Sequence, residues 1–187
     1  MKLFSPLSYL RIKHEEKKWY DFIVPFAVSV CLTIAYHFHA NKIPLIETNG
    51  LLLQVNGLLQ VLIGFYIAAL AAVSTFSSAT IDEVMAGDPP TLLEEFRGEK
   101  MTVLLTRRRF VCYLFGYLAL VSFMLFCLGM VSILVGKPFH LWLLTFWSPD
   151  VIIWLKTFFV GGYLFILMNI ITTTLLGLYF LAVRFHQ

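Results

Sequence analysis

Four long apolar segments constrain this chain more than any other feature of its sequence. They cover residues 22–40, 51–78, 110–136 and 151–183, and each has about the 20 residues or more that a helix needs to cross the hydrocarbon core of a bilayer. The chain is 59 % hydrophobic and 13 % charged, whereas charged residues make up about 25 % of a soluble domain. The sequence therefore predicts an all-α polytopic membrane protein, with four transmembrane helices in a single membrane domain over residues 1–187.

The basic residues lie mostly on one side of these predicted spans. Eleven of the 14 lysines and arginines precede the first span, separate the second from the third, or follow the fourth. Cytoplasmic flanks are enriched in lysine and arginine, so we expect both chain termini and the middle segment 79–109 to be cytoplasmic. Such flanking charges set topology and contact anionic lipid heads, so no direct binding of nucleic acid is expected.

The second span carries a regular pattern of small residues. Residues at alternating spacings of four and three, most of them glycine, alanine, threonine or serine, lie on one stripe of a helix. Small residues let two helix backbones approach closely, and such packing drives helix association in lipid. We call this stripe the α2 seam, and it is expected to pack either within the chain or between copies of it. Its members are Gly57, Gly64, Ala68, Ala71, Thr75 and Ser78.

A few uncharged polar residues interrupt the apolar spans. Gln54, Asn56 and Gln60 lie towards the start of the second span, and Asn169 lies in the middle of the fourth. Such amides commonly form hydrogen bonds between helices, and they can also line a pore. Both interpretations stay open from the sequence.

Charged and catalytic groups are scarce within the predicted spans. No Asp, Glu, Lys or Arg is expected deep in a span apart from Lys156, whose long side chain can reach the headgroups. Proton relays, ion-coupled carriers and voltage sensors use charges at this depth. No GxSxG, HExxH, P-loop or GxGxxG pattern occurs, and these patterns accompany common catalytic and nucleotide-binding sites. The sequence predicts no enzyme, no catalytic residue, no metal and no cofactor.

The polar middle segment, residues 79–109, is the expected docking surface for a partner. The capping-box spacing from Thr91 to Glu94 predicts a short helix, and a second helix is expected to run from Lys100 into the third span. The residues before the first span are expected to lie along the headgroups, with Tyr9 against the membrane. Five basic residues of the middle segment are candidates for contact with a partner or with lipid heads: Arg97, Lys100, Arg107, Arg108 and Arg109.

Two stretches carry a resemblance to a known family. GLLQVLIGFYIAALAAVSTF starts at Gly57 and TRRRFVCYLFGY starts at Thr106. With the four spans and the middle segment, they resemble the membrane component of the Kiwa bacterial anti-phage systems, the KwaA family, over nearly the whole chain. The resemblance implies a multi-pass protein of the bacterial inner membrane that self-associates as a homotetramer and works with a soluble, DNA-binding cytosolic effector like KwaB. It implies no catalytic residue.

Two functions are therefore expected from the sequence. The first is a non-enzymatic sensor or scaffold in antiviral defence, which self-associates and recruits a soluble effector. The second is a small homo-oligomeric channel that perturbs the membrane potential, with a pore lined by the amides of the second and fourth spans. A lipid-modifying enzyme is a weaker third class, because no nucleophile, base or metal set is visible.

Overall fold

The computed structural model describes residues 2–12, 19–39, 43–47, 49–75, 82–84, 90–96 and 99–183. Its main elements are four helices: α1 (Val24–Phe38), α2 (Leu51–Thr75), α3 (Arg107–Phe146) and α4 (Pro149–Val183). Helices make up most of the residues that the structure describes. Each helix is long and apolar enough to cross a membrane, α1 together with the π-helical turn Trp19–Ile23 that precedes it. The predicted helical membrane protein with four spans is confirmed.

Helix α3 is longer than the predicted span. The third predicted span ended at residue 136 and the fourth began at residue 151, but α3 continues through Pro138 to Phe146. Aromatic side chains on successive turns support this extension, since the ring of Trp142 lies 6.0 Å from Phe139 and 5.2 Å from Phe146. At 1.5 Å per residue the helix is about 60 Å long, about twice the hydrocarbon thickness, so one end projects beyond the membrane core.

The four helices pack as two pairs, α2 with α3 and α1 with α4, and contacts between α3 and α4 join the pairs. Their shared core holds buried aliphatic side chains and aromatic rings, among them Leu59, Tyr66, Leu118 and Ile170. The Val73 carbonyl near the end of α2 accepts a hydrogen bond from Arg108 at the start of α3 (3.4 Å). The Phe110 ring at the start of α3 lies 5.1 Å from the Phe180 ring of α4, and Asp21 before α1 contacts Thr173 of α4. The same end of the bundle therefore holds the start of α1, the end of α2, the start of α3 and the end of α4.

A 3₁₀ helix, Lys2–Arg11, packs against α3. The Tyr9 ring is fully buried, 5.0 Å from the ring of Tyr117 and 6.4 Å from that of Phe110. Pro6 lies over Gly116, and a Cβ atom added there would meet the Pro6 ring at an ordinary contact distance of 3.5 Å. The expectation that Tyr9 lies against lipid headgroups is wrong, because the aromatic face of α3 offers it a buried partner.

The middle segment forms a β-hairpin in place of the two predicted helices. Strand β1 (Thr91–Phe96) pairs antiparallel with β2 (Glu99–Leu104), from Thr91 opposite Leu104 to Phe96 opposite Glu99. A helix of one or two turns is unstable alone, whereas the hairpin pairs its backbone along its whole length. Helix α3 begins only at Arg107, capped by the Thr106 side chain, which accepts from the Arg109 amide (3.4 Å). We call this end of the bundle the hairpin end.

An ion pair ties the start of α3 to the preceding segment. Arg108 donates from Nε to Oδ1 of Asp82 (2.7 Å) and from Nη2 to Oδ2 (3.2 Å). Three consecutive arginines at a helix N-terminus oppose the helix dipole, and the Asp82 carboxylate offsets part of that charge.

Arg108→Gln is expected to lower the free energy of unfolding by less than about 1 kcal/mol, because the Asp82 side chain is 60 % exposed and solvent screens the pair. A double-mutant cycle with Asp82→Asn, measured by unfolding in mixed detergent micelles, checks this value. Arg107→Gln is the matched control and is expected to be neutral. A coupling energy of zero between Arg108 and Asp82 would contradict the assigned pairing.

Candidate functional site

A polar network lies inside the bundle where the chain enters α1. Its centre is Asp21, whose side chain is 3 % exposed. The Tyr9 hydroxyl donates to Asp21 Oδ1 (3.3 Å), and the Thr173 hydroxyl donates to the same oxygen (3.5 Å). Asn169 Nδ2 donates to the Asp21 backbone carbonyl (2.7 Å), and its Oδ1 accepts from the Tyr117 hydroxyl (2.7 Å). We call these five residues the Asp21 network.

The Asp21 network joins four elements of the fold: the 3₁₀ helix, the turn before α1, α3 and α4. Burial, and secondly the Asp21 carboxylate, raise the pKa of Tyr9, so its phenol stays protonated and acts as the donor. The Tyr9 and Tyr117 rings stack with an interplanar angle of 27°. Because lipid offers no hydrogen bonds, polar groups at this depth are satisfied within the protein, and the network fixes how these elements meet.

Asp21 is an acidic residue that lies outside the first span predicted from the sequence. The predicted first span began at Phe22, but the candidate span in the structure is Trp19–Phe38. The extra helical turn carries Asp21 inward until its backbone contacts Asn169 of α4. Two features are typical of an acid in this position. Asp21 directly adjoins an apolar run, and a buried tyrosine hydroxyl such as that of Tyr117 needs a polar partner.

A second set of polar contacts joins α2 to α4. Asn56 of α2 is buried, and its Oδ1 accepts from the Tyr163 hydroxyl of α4 (3.3 Å). Tyr66 of α2 bonds through its hydroxyl to Thr174 of α4. These contacts join α2 to α4 across the core, so the buried amide serves as an interhelical hydrogen-bonding group.

The structure does not bring the four predicted lining residues to a single surface. Asn56 and Asn169 are buried and hydrogen-bonded within the bundle. Gln54 and Gln60 are exposed on the outside of α2. Helical phase separates Gln54 from Asn56, because residues two apart point about 200° apart around the axis. Gln60 is four residues from Asn56 and lies only about 40° away from it, so packing and not helical phase leaves Gln60 exposed.

The α2 seam faces away from the rest of the chain. Gly57, Gly64, Ala68, Ala71 and Thr75 are exposed, and Ser78 lies outside the described residues. A Cβ atom added at Gly57 or Gly64 would meet nothing within 4 Å. At about 100° per residue, the seam lies on the side of α2 opposite the buried Leu52, Leu59 and Tyr66. Within one copy, α2 therefore packs through a different face.

The predicted basic group is only partly described. Arg107, Arg108 and Arg109 form the first turn of α3 and are half-buried. Arg97 and the side chain of Lys100 lie outside what is described. Arg108 is held by Asp82.

Histidines gather at the end of the bundle opposite the hairpin. His37 Nδ1 lies 3.0 Å from Thr157 Oγ1, and its ring centroid is 4.8 Å from that of Trp154. His140 Nε2 lies 3.5 Å from the Lys156 ammonium. Among the residues that the structure describes, no three His, Cys, Asp or Glu side chains are grouped so that they could hold a metal ion.

The fold and the network define a multi-pass helical membrane protein with an acidic residue inside its bundle. No family model, curated protein or solved structure matches the chain.

Proposed function

We propose that this protein is a non-enzymatic membrane scaffold or sensor in bacterial phage defence, which self-associates and recruits a soluble, DNA-binding effector. The charge distribution favours an inner-membrane protein with both termini and the hairpin end in the cytoplasm. The resemblance to the Kiwa membrane component supports the defence role and a homotetramer. The observation that carries the proposal is the exposed α2 seam.

Self-association is argued from the geometry of the α2 seam. In lipid, helices associate through close van der Waals packing, and small residues at the contact allow it. The space beside Gly57 and Gly64 admits the backbone of another helix. A second copy presents the same stripe, so the two surfaces match each other, as the interfaces of symmetric oligomers do.

Recruitment is argued from the hairpin end. The exposed acids Asp82 and Glu83 lie beside the arginines that begin α3, so charges of both signs are offered to water. Charged rims steer soluble partners and set the orientation in which they dock. The hairpin is the largest non-helical element described, and it lies at the end proposed to face the cytoplasm.

The test is the mass of the full chain, purified in mild detergent and measured by mass photometry over a dilution series. We expect a single oligomer of fixed size. Gly57→Leu with Gly64→Leu is expected to weaken association at least about tenfold, because two leucines keep the backbones apart. Gly162→Leu is the matched control, since Gly162 is an exposed membrane-helix glycine with nothing within 4 Å of its Cβ position.

Three outcomes would contradict the proposal. A monomer at every concentration would contradict self-association. If the control variant weakened association as much as the seam variant does, the α2 seam would not be the interface. Wild-type protein purified from its native host should also carry a soluble protein that retards DNA on a gel. A fixed oligomer that carries no such protein would contradict the recruitment of a DNA-binding effector.

The exposed amides of α2 favour a channel as the second candidate function. Gln54 and Gln60 flank the α2 seam on the outer surface of the bundle. Amides within a membrane commonly form hydrogen bonds across helices. In an oligomer built on the seam, several copies of these amides would meet. Ion flux into liposomes that is abolished by Gln60→Leu would support a channel, and silence over a range of voltages and pH would count against it.

A further inference from the structure

A cleft opens on the side of the bundle next to the Asp21 network. Its volume is about 270 Å³, close to the lower limit of about 300 Å³ for small-molecule sites. Its rim includes Phe22, Met124 and Leu128, whose side chains are 60 %, 45 % and 43 % exposed. Because these residues belong to membrane-crossing helices, the cleft opens sideways towards the lipid.

The cleft is polar at one place and apolar elsewhere. Asp21, Asn169 and Tyr117 contribute to its wall, and its other described lining residues are apolar. Asp21 is the one charged group among the described residues of that lining. A ligand that matches this wall therefore has a small hydrogen-bonding head and an apolar body.

We propose that this cleft binds an amphiphile with a protonated amine head and an apolar chain, which enters from the lipid. The amine lies against the Asp21 carboxylate, and the chain lies along Met124 and Phe165. The proposal is independent of the scaffold function, because it uses neither the α2 seam nor the hairpin.

The choice of an amine follows from the chemistry of the acceptor. A carboxylate oxygen accepts several hydrogen bonds, and those from a charged donor are shorter and stronger than those from a neutral donor. Electrostatic attraction is also stronger in the low dielectric of a bundle interior than in water. A fatty acid would bring a second negative charge to Asp21, and a neutral alcohol would lack the charge term. The cleft volume suits a head and part of one chain, not a whole two-chain lipid.

Photolabelling of the full chain in nanodiscs tests the proposal. The probes are a 16-carbon primary amine with a mid-chain diazirine and the alcohol with the same chain. Mass spectrometry of the labelled peptides is expected to find at least about fivefold more amine than alcohol on the segments with Met124 and Phe165. Asp21→Asn is expected to lower amine labelling there to the level of the alcohol. Asp150→Asn, an exposed acid at the start of α4, should change nothing.

A second variant covers the case in which Asp21→Asn disturbs folding. Met124→Trp leaves the Asp21 network intact and fills the rim, and it should lower labelling by both probes at least about threefold. Equal labelling by amine and alcohol in the wild-type protein would overturn the proposal, and so would amine labelling that ignores both variants. Labelling spread evenly over all four helices would show ordinary partition into the lipid and would overturn it as well.

Discussion

Asn169→Leu is expected to lower the free energy of unfolding by about 2 kcal/mol. The change removes the acceptor of the Tyr117 hydroxyl and the donor to the Asp21 carbonyl. A buried polar group left without a partner costs about 1–3 kcal/mol, whereas hydrogen bonds measured in a membrane bundle average about 0.6 kcal/mol. Asn169→Leu leaves two groups without partners, the Tyr117 hydroxyl and the Asp21 carbonyl. The expected loss for both together therefore lies above twice the membrane average and near the lower end of twice the cost of an unsatisfied group.

Reversible unfolding in mixed micelles of mild detergent and dodecyl sulfate measures this loss. Thr172→Val is the matched control on the same helix, because the Thr172 hydroxyl bonds only to carbonyls of α4 itself, at Met168 (2.9 Å) and Asn169 (3.2 Å). The control is expected to cost less than about 0.5 kcal/mol, within the range of substitutions away from structural networks. Equal costs for Thr172→Val and Asn169→Leu would contradict the central role of Asn169 in the Asp21 network.

Gly129→Val is expected to destabilise the pair α2–α3 by about 2–3 kcal/mol, at the upper end of the usual cost of overpacking a core. Gly129 is buried on α3, and an added Cβ would overlap Asn56 Oδ1 and lie 2.9 Å from Nδ2. The Asn56 amide cannot withdraw freely, because its Oδ1 accepts from Tyr163. The helices would have to separate, or Asn56 would have to give up its hydrogen bond.

The same unfolding measurement on Gly129→Val with Asn56→Ala tests this explanation. Shortening Asn56 vacates the space that the valine needs, so the double variant should regain at least half of the loss, and the coupling energy of the pair should be favourable. Gly162→Val, at a glycine with open space, is the control and should be close to neutral. Additive effects of the two changes would show that Gly129 is not placed against Asn56.

The Asp21 network lies inside the bundle, whereas the α2 seam lies on its outside. The network occupies the α1–α4 side and anchors the 3₁₀ helix through Tyr9. The seam lies on α2, on the face turned away from the core. Self-association through the seam would therefore leave the network within each copy, so the Asn169 and Gly129 variants report on the fold of one chain.

The number, order and approximate positions of the helices follow from the sequence alone. Hydrocarbon thickness sets a minimum length for an apolar span, and the chain has four segments that meet it. The α2 seam was also visible from spacing alone, since a period near 3.6 fixes which residues share a stripe. The middle segment was mispredicted because short polar stretches carry weak local signals, and pairing along a hairpin overrode the capping box at Thr91.

Which side of each helix faces inward was settled by packing. In a membrane protein the core and the lipid are both apolar, so hydrophobicity does not separate buried from exposed faces. Asn56 and Gln60 read alike in the sequence, yet the first is buried against Tyr163 and the second is exposed. Asp21 became internal only because Tyr9, Thr173 and Asn169 arrive from distant parts of the chain to surround it, and such long-range contacts leave no periodic pattern in the sequence.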